Sequence, residues 1–292
     1  GRWRWNMVND FRPQSIEYSG IKCYPTANYV NYYGMQNGYP INDMTKADAE
    51  SGYDPTHPWK NRDPRFYKTI MFDGVKWKST GGAGGTAELF TGGRESEEAN
   101  EKKGCFTAYM NSKLCPQLMN TVDGYKENNI MILSLMRLAD VYLMYAEATA
   151  VGYNGPKGKA ATYSLTAEEA LNKIRERAGV APVLDKFLGS TADFLSELRR
   201  ERAVELSFEG FRFIDLRRWM LLTQYPYTLK TKIEFDRADP SDYNYDEPEE
   251  NAIKNLREVV LLERKYTDRH YWYPLPKKDV SMYEGFYQNP GW

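Results

Sequence analysis

Residues 199–219 read RRERAVELSFEGFRFIDLRRW, six arginines and four acidic residues threaded through apolar and aromatic positions. Two readings compete. Arginines at this density can form an anion site, because the guanidinium fork matches carboxylate and phosphate geometry. They can equally form a ladder of arginine–carboxylate pairs that locks helices together. Arg202 and Arg212 each lie within helical reach of Glu205, Glu209 or Asp215, which leaves little free positive charge for a ligand. Arginine also suits partly buried pairing better than lysine does. The stretch therefore reads as architecture.

The neighbouring sequence supplies the helices to be locked. Thr191 can cap a helix running to about Ser207, with Leu195, Leu198, Arg202 and Leu206 on one side, and Gly210 breaks it before the short helix or turn FRFIDLRRW. Upstream, NNIMILSLMRLADVYLMYAEATA (128–150) starts as an extended entry and becomes helical. Ser134, Arg137, Asp140 and Glu147 make a narrow polar stripe on an otherwise apolar helix, which predicts that the helix is largely buried. TAEEALNKIRERAG (166–179) is a second helix with a Thr166/Glu169 capping box and Gly179 past its end. The pair looks like a single tetratricopeptide-type hairpin.

Residues 1–129 differ in kind. Turn signals recur, among them NGYP, DPTHPW, NRDP and DGVKW, and helical periodicity is poor. The prediction is long loops with short strands and few short helices, one of which can open at Thr26 behind Pro25. Within NRDPRF, Arg62, Asp63 and Arg65 read as residues that tie a turn together. Beyond residue 222 loops return, and the closing aromatic, proline-rich tail is expected to pack back onto the body.

With 39 basic against 40 acidic residues the net charge is −1, so there is no electrostatic case for nucleic acid or an anionic membrane as the main partner. Tyr outnumbers Phe by 23 to 12, an excess that suits a polar binding surface. Cys23, Cys105 and Cys115 form no C-x-x-C pair, and their odd number argues against a disulfide framework while allowing a single bridge between Cys105 and Cys115. No run has the length of a membrane span, and the first residues show neither an apolar signal core nor a lipid-attachment cysteine. Either an intracellular protein or a piece without its leader fits that start.

Rival chemistries are weakly supported. GAGGTA (82–87) matches a dinucleotide fingerprint in letters only, without the flanking strand and helix. Asp242, Asn244 and Asp246 alternate like the start of a calcium loop, but Glu247 and Ile253 stand where Gly and Glu are needed, leaving at most an irregular Ca2+ site. Two histidines, His57 and His270, and no H-E-x-x-H argue against a zinc hydrolase. No carboxylate pair stands out for glycoside hydrolysis.

RLADVYLMYAEA (137–148), LNKIRERAGV (171–180), ELRRERAVELSFEGFRFIDLRRW (197–219), YWYPLPKKDV (271–280) and QNPGW (288–292) occur in this order. Together they resemble the SusD/RagB family of Bacteroidetes outer-membrane nutrient-binding proteins, and YPTANYV (24–30) and NRDPRFYKTI (61–70) fit the same pattern. The resemblance implies a mainly α fold: tetratricopeptide-like hairpins carrying an irregular, loop-rich region with a few short strands. Residues 1–129 would be the ligand-facing region and 130–292 the helical core, in one integrated domain. Family members are longer and begin with a lipoprotein leader, so this chain corresponds to a C-terminal portion, without the lipid anchor. The resemblance further implies no catalysis, no cofactor, and a place on the outer face of the outer membrane. There a glycan, or in some branches a peptide, is captured and passed to a SusC-type TonB-dependent transporter.

A glycan site needs aromatic faces for sugar C–H surfaces and planar polar groups for hydroxyls. The front of the chain mixes those types. The expected ligand residues are Trp3 and Trp5 with Arg4 opposite, Tyr18, Tyr24, and Trp59 with Asn61. The expected structural ion pairs draw on Arg137, Asp140, Arg202, Glu205, Glu209, Arg212 and Asp215. The competing reading is a tetratricopeptide-like scaffold whose partner is a peptide.

Overall fold

The computed structural model describes residues 24–41, 49–77, 85–99, 101, 104–114 and 134–292. The helical half is built on α3 (Leu138–Gly152), α4 (Ala167–Ala178), α5 (Thr191–Glu205) and α6 (Phe211–Arg218), which follow the short helices α1 (Ala27–Val30) and α2 (Pro64–Thr69). The strands are β1 (Ile70–Met71), β2 (Met110–Asn111), β3 (Leu229–Arg237) and β4 (Ile253–Glu263), and a last helical turn, α7, spans Lys277–Val280.

α4 begins and ends as its sequence directs. The Thr166 hydroxyl accepts from the Glu169 backbone and the Glu169 carboxylate accepts from the Thr166 backbone, while Gly179 closes the helix at φ 74°. α3 lies antiparallel beside it, and small residues at the contact, Ala146 and Ala150 on α3 with Ala167 and Ala170 on α4, let the backbones approach around Leu143, Leu171 and Ile174. α5 adds Phe194 and Leu198 to the same core. Its cap is Ser190, whose hydroxyl accepts from the Asp193 backbone at 3.1 Å, and not Thr191.

α3 departs from the expectation of general burial. Leu138, Val141, Met144 and Val151 are exposed, whereas Asp140 is enclosed. Of the polar stripe, Asp140 and Glu147 turn to Arg202 on α5 and Arg218 on α6, and an apolar flank is left outside.

Residues after 222 also differ from the expected loops. β3 and β4 form an antiparallel hairpin running from Leu229 opposite Glu263 to Arg237 opposite Ile253, with shifts in register on the way. Thr231, Ile233, Phe235 and Arg237 alternate inward along β3. Ile233, Phe235 and Ile253 join Val204 in a second core with Tyr24, Trp59, Phe66, Phe72 and Tyr109, so front and back share one interior. The tail packs back only at its start, where Tyr271 joins Leu216 and Leu222 and its carbonyl accepts from Arg217, while Trp272, Tyr273, Tyr283 and Tyr287 are exposed. It folds on itself, with Gln288 bridging the backbone of Leu275 and Asn289 donating to the Tyr273 carbonyl. Cys105 is a buried free thiol rather than half of a bridge. Among the described residues no helix is long and apolar enough to cross a membrane.

Candidate functional site

α5 presents Glu197, Glu201 and Glu205 at a spacing of four, one acidic stripe continued by Glu209. Arginines from other elements converge on it. Arg65 of α2 reaches Glu201 and Glu205, Arg175 of α4 reaches Glu197 and Glu201, and Arg137 reaches Glu205 and Glu209. Arg202 turns the other way, to Asp140 at 2.5 Å and Asp215 at 2.7 Å. The partners are therefore mostly long-range, and the local pairing of Arg202 with Glu205 or Glu209 is not made. Arg212 is the exception in the set. Among the described residues it pairs with no carboxylate; it donates to the Tyr32 hydroxyl at 2.8 Å and lies over the Tyr32 ring at 4.7 Å.

The expected ligand residues in the front separate into two groups. Trp3, Arg4, Trp5 and Tyr18 lie outside the described residues. Tyr24 and Trp59 are in the core, where Trp59 is fully enclosed against Phe72 and Phe235 and donates to the Tyr109 hydroxyl. An enclosed indole has no face for a sugar, so Trp59 is a packing residue. Asn61 is exposed but serves a turn: it sits at φ 53° and its carbonyl accepts from Gln36. Arg62, Asp63 and Arg65 do hold this turn, Arg62 through the carbonyls of Val30, Tyr33 and Pro58. At the calcium-like run, the Asn244 side chain accepts from the backbones of Asp246 and Glu247, and Asp246 pairs with Lys76.

Two cavities of similar size adjoin the acidic stripe. One, of about 590 Å³, is lined by Arg65, Lys113, Arg137, Arg177, Glu205 and Glu209, all engaged with one another, with Phe208 its one ring. The other, of about 570 Å³, holds the mixture that sugar recognition needs. Its floor is α1 and the turn that follows it, which contribute Asn28, Asn31 and Tyr32. One wall is α5, where Asp193, Ser196, Glu197 and Arg200 repeat at helical spacing beside Arg199; the opposite side brings Arg212, Pro226 and Tyr227.

The cleft is held rigid from below. Asn28 donates to the Leu229 carbonyl at 2.8 Å, and its backbone N–H donates to the Thr231 hydroxyl. Asn31 donates to Glu258, which also accepts from Thr231. Arg200 is fixed by Glu197 and the carbonyls of Tyr32 and Gly38. Gly34 cannot be enlarged, because a Cβ there would meet the Tyr39 carbonyl oxygen at 2.3 Å. Two polar atoms remain unmatched: Asn31 Oδ1, on a residue only 4 % exposed, and Arg199 Nε. Burial raises the Tyr32 phenol above its ordinary range, with Arg212 opposing, so Tyr32 stays protonated at neutral pH. Tyr225, just before Pro226, is 76 % exposed.

The SusD family model matches residues 1–292, the whole chain. The chain belongs to the SusD family. Its SusD-like fold is shared with a SusD-like protein from Bacteroides fragilis, at 21% identity and a TM-score of 0.66 over 92% of this chain. A SusD-like carbohydrate binding protein from the same species matches at 20% identity and a TM-score of 0.57 over 88% of this chain. The chain spans 47% of each of those two structures, about half their length. No curated protein matches it.

The sequence reading missed this cleft because its residues come from four separated stretches. A signal was present all the same. Tyr32 sits in the quoted YPTANYVNYYG, and the α5 wall follows from the helix already drawn from Thr191. Nothing local showed that Arg212 would turn toward tyrosines instead of acids.

Proposed function

We propose that this SusD-family chain binds glycan, without chemistry, in the cleft between α1, α5, α6 and the entry to β3. The observation that carries the reading is the juxtaposition of Tyr32 and Tyr227 with Asn28, Asn31, Ser196, Arg199 and Arg212 around one open cavity. Tyrosine faces take sugar C–H surfaces, and amides and guanidinium groups take hydroxyl pairs. A SusD-like carbohydrate binding protein among the structures of the same fold supports it. In this reading the protein stands at the outer face of the outer membrane and delivers its ligand to a SusC-type TonB-dependent transporter.

Calorimetric titration of the chain with soluble oligosaccharides of varied linkage tests the cleft. Saturable binding is expected, weakened roughly tenfold by Tyr227→Ala, the order of one lost stacking contact. Binding untouched by Tyr227→Ala and Asn28→Ala would place the site elsewhere. Affinity for peptides with none for sugars would replace the glycan reading by that of a tetratricopeptide-like scaffold.

A further inference from the structure

The cleft lining carries cations that its own acids do not answer. Among the acids on its walls, Glu197 is taken up by Arg175 and Arg200, and Asp193 accepts from the Ser190 hydroxyl at the start of α5. Glu258, beneath Asn31, accepts from Thr231 and Asn31. Arg200 is answered by Glu197, which leaves Arg199 and Arg212 on the lining itself. Among the described residues neither Arg199 nor Arg212 pairs with any carboxylate. Each lies over a ring instead, Arg199 at 5.4 Å from Trp219 and Arg212 at 4.7 Å from Tyr32.

A further cation stands close by. Lys230 follows Leu229, whose carbonyl is bonded to Asn28 of the cleft floor, and it too has no acidic partner among the described residues. Burial, then the charges of Arg264 and Arg212, push its ammonium down to about 8. In a chain whose basic and acidic residues otherwise nearly cancel, half-buried cations left unpaired around a cavity are costly unless a ligand anion compensates them.

Resting on the reading that the cleft binds glycan, we infer that the glycan is anionic, a uronate or sulfated oligosaccharide, and that Arg199 and Arg212 receive its acid groups. The guanidinium fork accepts a carboxylate or a sulfate in the same two-bond geometry, so the shared requirement is a planar pair of anionic oxygens. Arg199 donates to no protein acceptor among the described residues and Arg212 only to the Tyr32 hydroxyl, which leaves guanidinium N–H groups for the ligand.

Calorimetry on the whole chain with three probes tests this: an oligogalacturonide carrying carboxylates only, a κ-carrageenan oligosaccharide carrying sulfates only, and neutral maltotetraose. At least one acidic probe is expected to bind no less than about tenfold more tightly than maltotetraose, with affinity falling as NaCl is raised. Which acidic probe responds tells uronate from sulfate. Arg212→Gln and Arg199→Gln are each expected to weaken it by roughly 10- to 100-fold, the scale of one charge-assisted contact. Arg257→Gln, on the exposed hairpin, is expected to change nothing. Because Arg212 is bonded to Tyr32, Arg199→Gln, which breaks no internal hydrogen bond among the described residues, keeps the test independent of folding. Equal binding of maltotetraose, undiminished in both variants, would overturn the anionic inference while leaving the glycan cleft standing. Absence of binding by all three, with no other sugar bound, would remove the cleft reading and this inference with it.

Discussion

Arg175 is fully enclosed, with its guanidinium divided between Glu197 and Glu201 and its Nη1 left without an acceptor. Arg177, two residues on, reaches Glu205 from a side chain that is 59% exposed. The two look alike in sequence and differ in what water can do for them. Removing Arg175 leaves two enclosed carboxylates short of compensation, whereas Glu205 without Arg177 keeps Arg65 and Arg137. Arg175→Met is therefore expected to cost about 3 kcal/mol of unfolding free energy. Arg177→Met should cost less than about 1 kcal/mol. Urea denaturation of the two variants beside the parent measures the contrast, and equal losses would mean that the buried ladder is not what sets stability here. At this scale the sequence conveyed that the arginines of 199–219 were mostly spoken for. It could not convey by whom, since Arg65, Arg137 and Arg175 lie outside the stretch and only the fold brings them to α5.

α3 shows how an element can be recognised and still be misplaced. Its apolar residues go round more than one face, and a helix of that kind is ordinarily enclosed on all sides. Here Leu143 is fully enclosed, while Leu138 is 66% exposed and Val151 63% exposed. Side-chain type alone does not separate these leucines; position relative to α4 and α5 does. Leu143→Ala is expected to destabilise by about 2–5 kcal/mol through lost burial and the cavity left behind. Leu138→Ala should stay within about 0.5 kcal/mol, as at other exposed sites. Thermal unfolding followed by circular dichroism decides between them, and a large loss at Leu138 would show that its flank is covered in solution. α4 was legible from end to end because its signals, Thr166, Glu169 and Gly179, act within a few residues. The β3–β4 hairpin was not, although Thr231, Ile233 and Phe235 alternate, because a loop of fifteen residues between Arg237 and Ile253 hides the pairing that makes the alternation meaningful. The cleft failed for the same reason one step further on, being assembled from α1, α5, α6 and the approach to β3.

At the scale of the molecule, the charge network is what couples the irregular front to the helical back. Glu201 on α5 receives Arg65 from the front and Arg175 from α4, in a setting almost closed to water. Burial by itself would raise the Glu201 carboxyl, but Arg65, Arg175 and Arg200 outweigh it and hold the group at about 2, against an ordinary 4.5. Glu197 and Glu209 are lowered in the same way, burial opposing and arginines prevailing, with Lys113 assisting at Glu209. A carboxyl whose folded pKa lies below its unfolded one stabilises the protein fully above the unfolded value and loses that contribution as pH falls toward the folded one. For Glu201 the window runs from about pH 4.5 down to about 2 and holds about 3 kcal/mol. Stability is therefore expected to be level from neutral pH to about 5 and to fall steeply below 4.5, with front and back losing structure together. Urea unfolding at a series of pH values, followed by tryptophan emission for the core around Trp59 and by far-ultraviolet circular dichroism for the helices, should give coincident curves. Glu201→Gln, already uncharged, should start less stable at pH 7 and decline less below 4.5. If instead the helices persist at pH 3 while the tryptophan signal is lost, the acidic stripe does not couple the two halves, and the shared apolar core alone must hold them together.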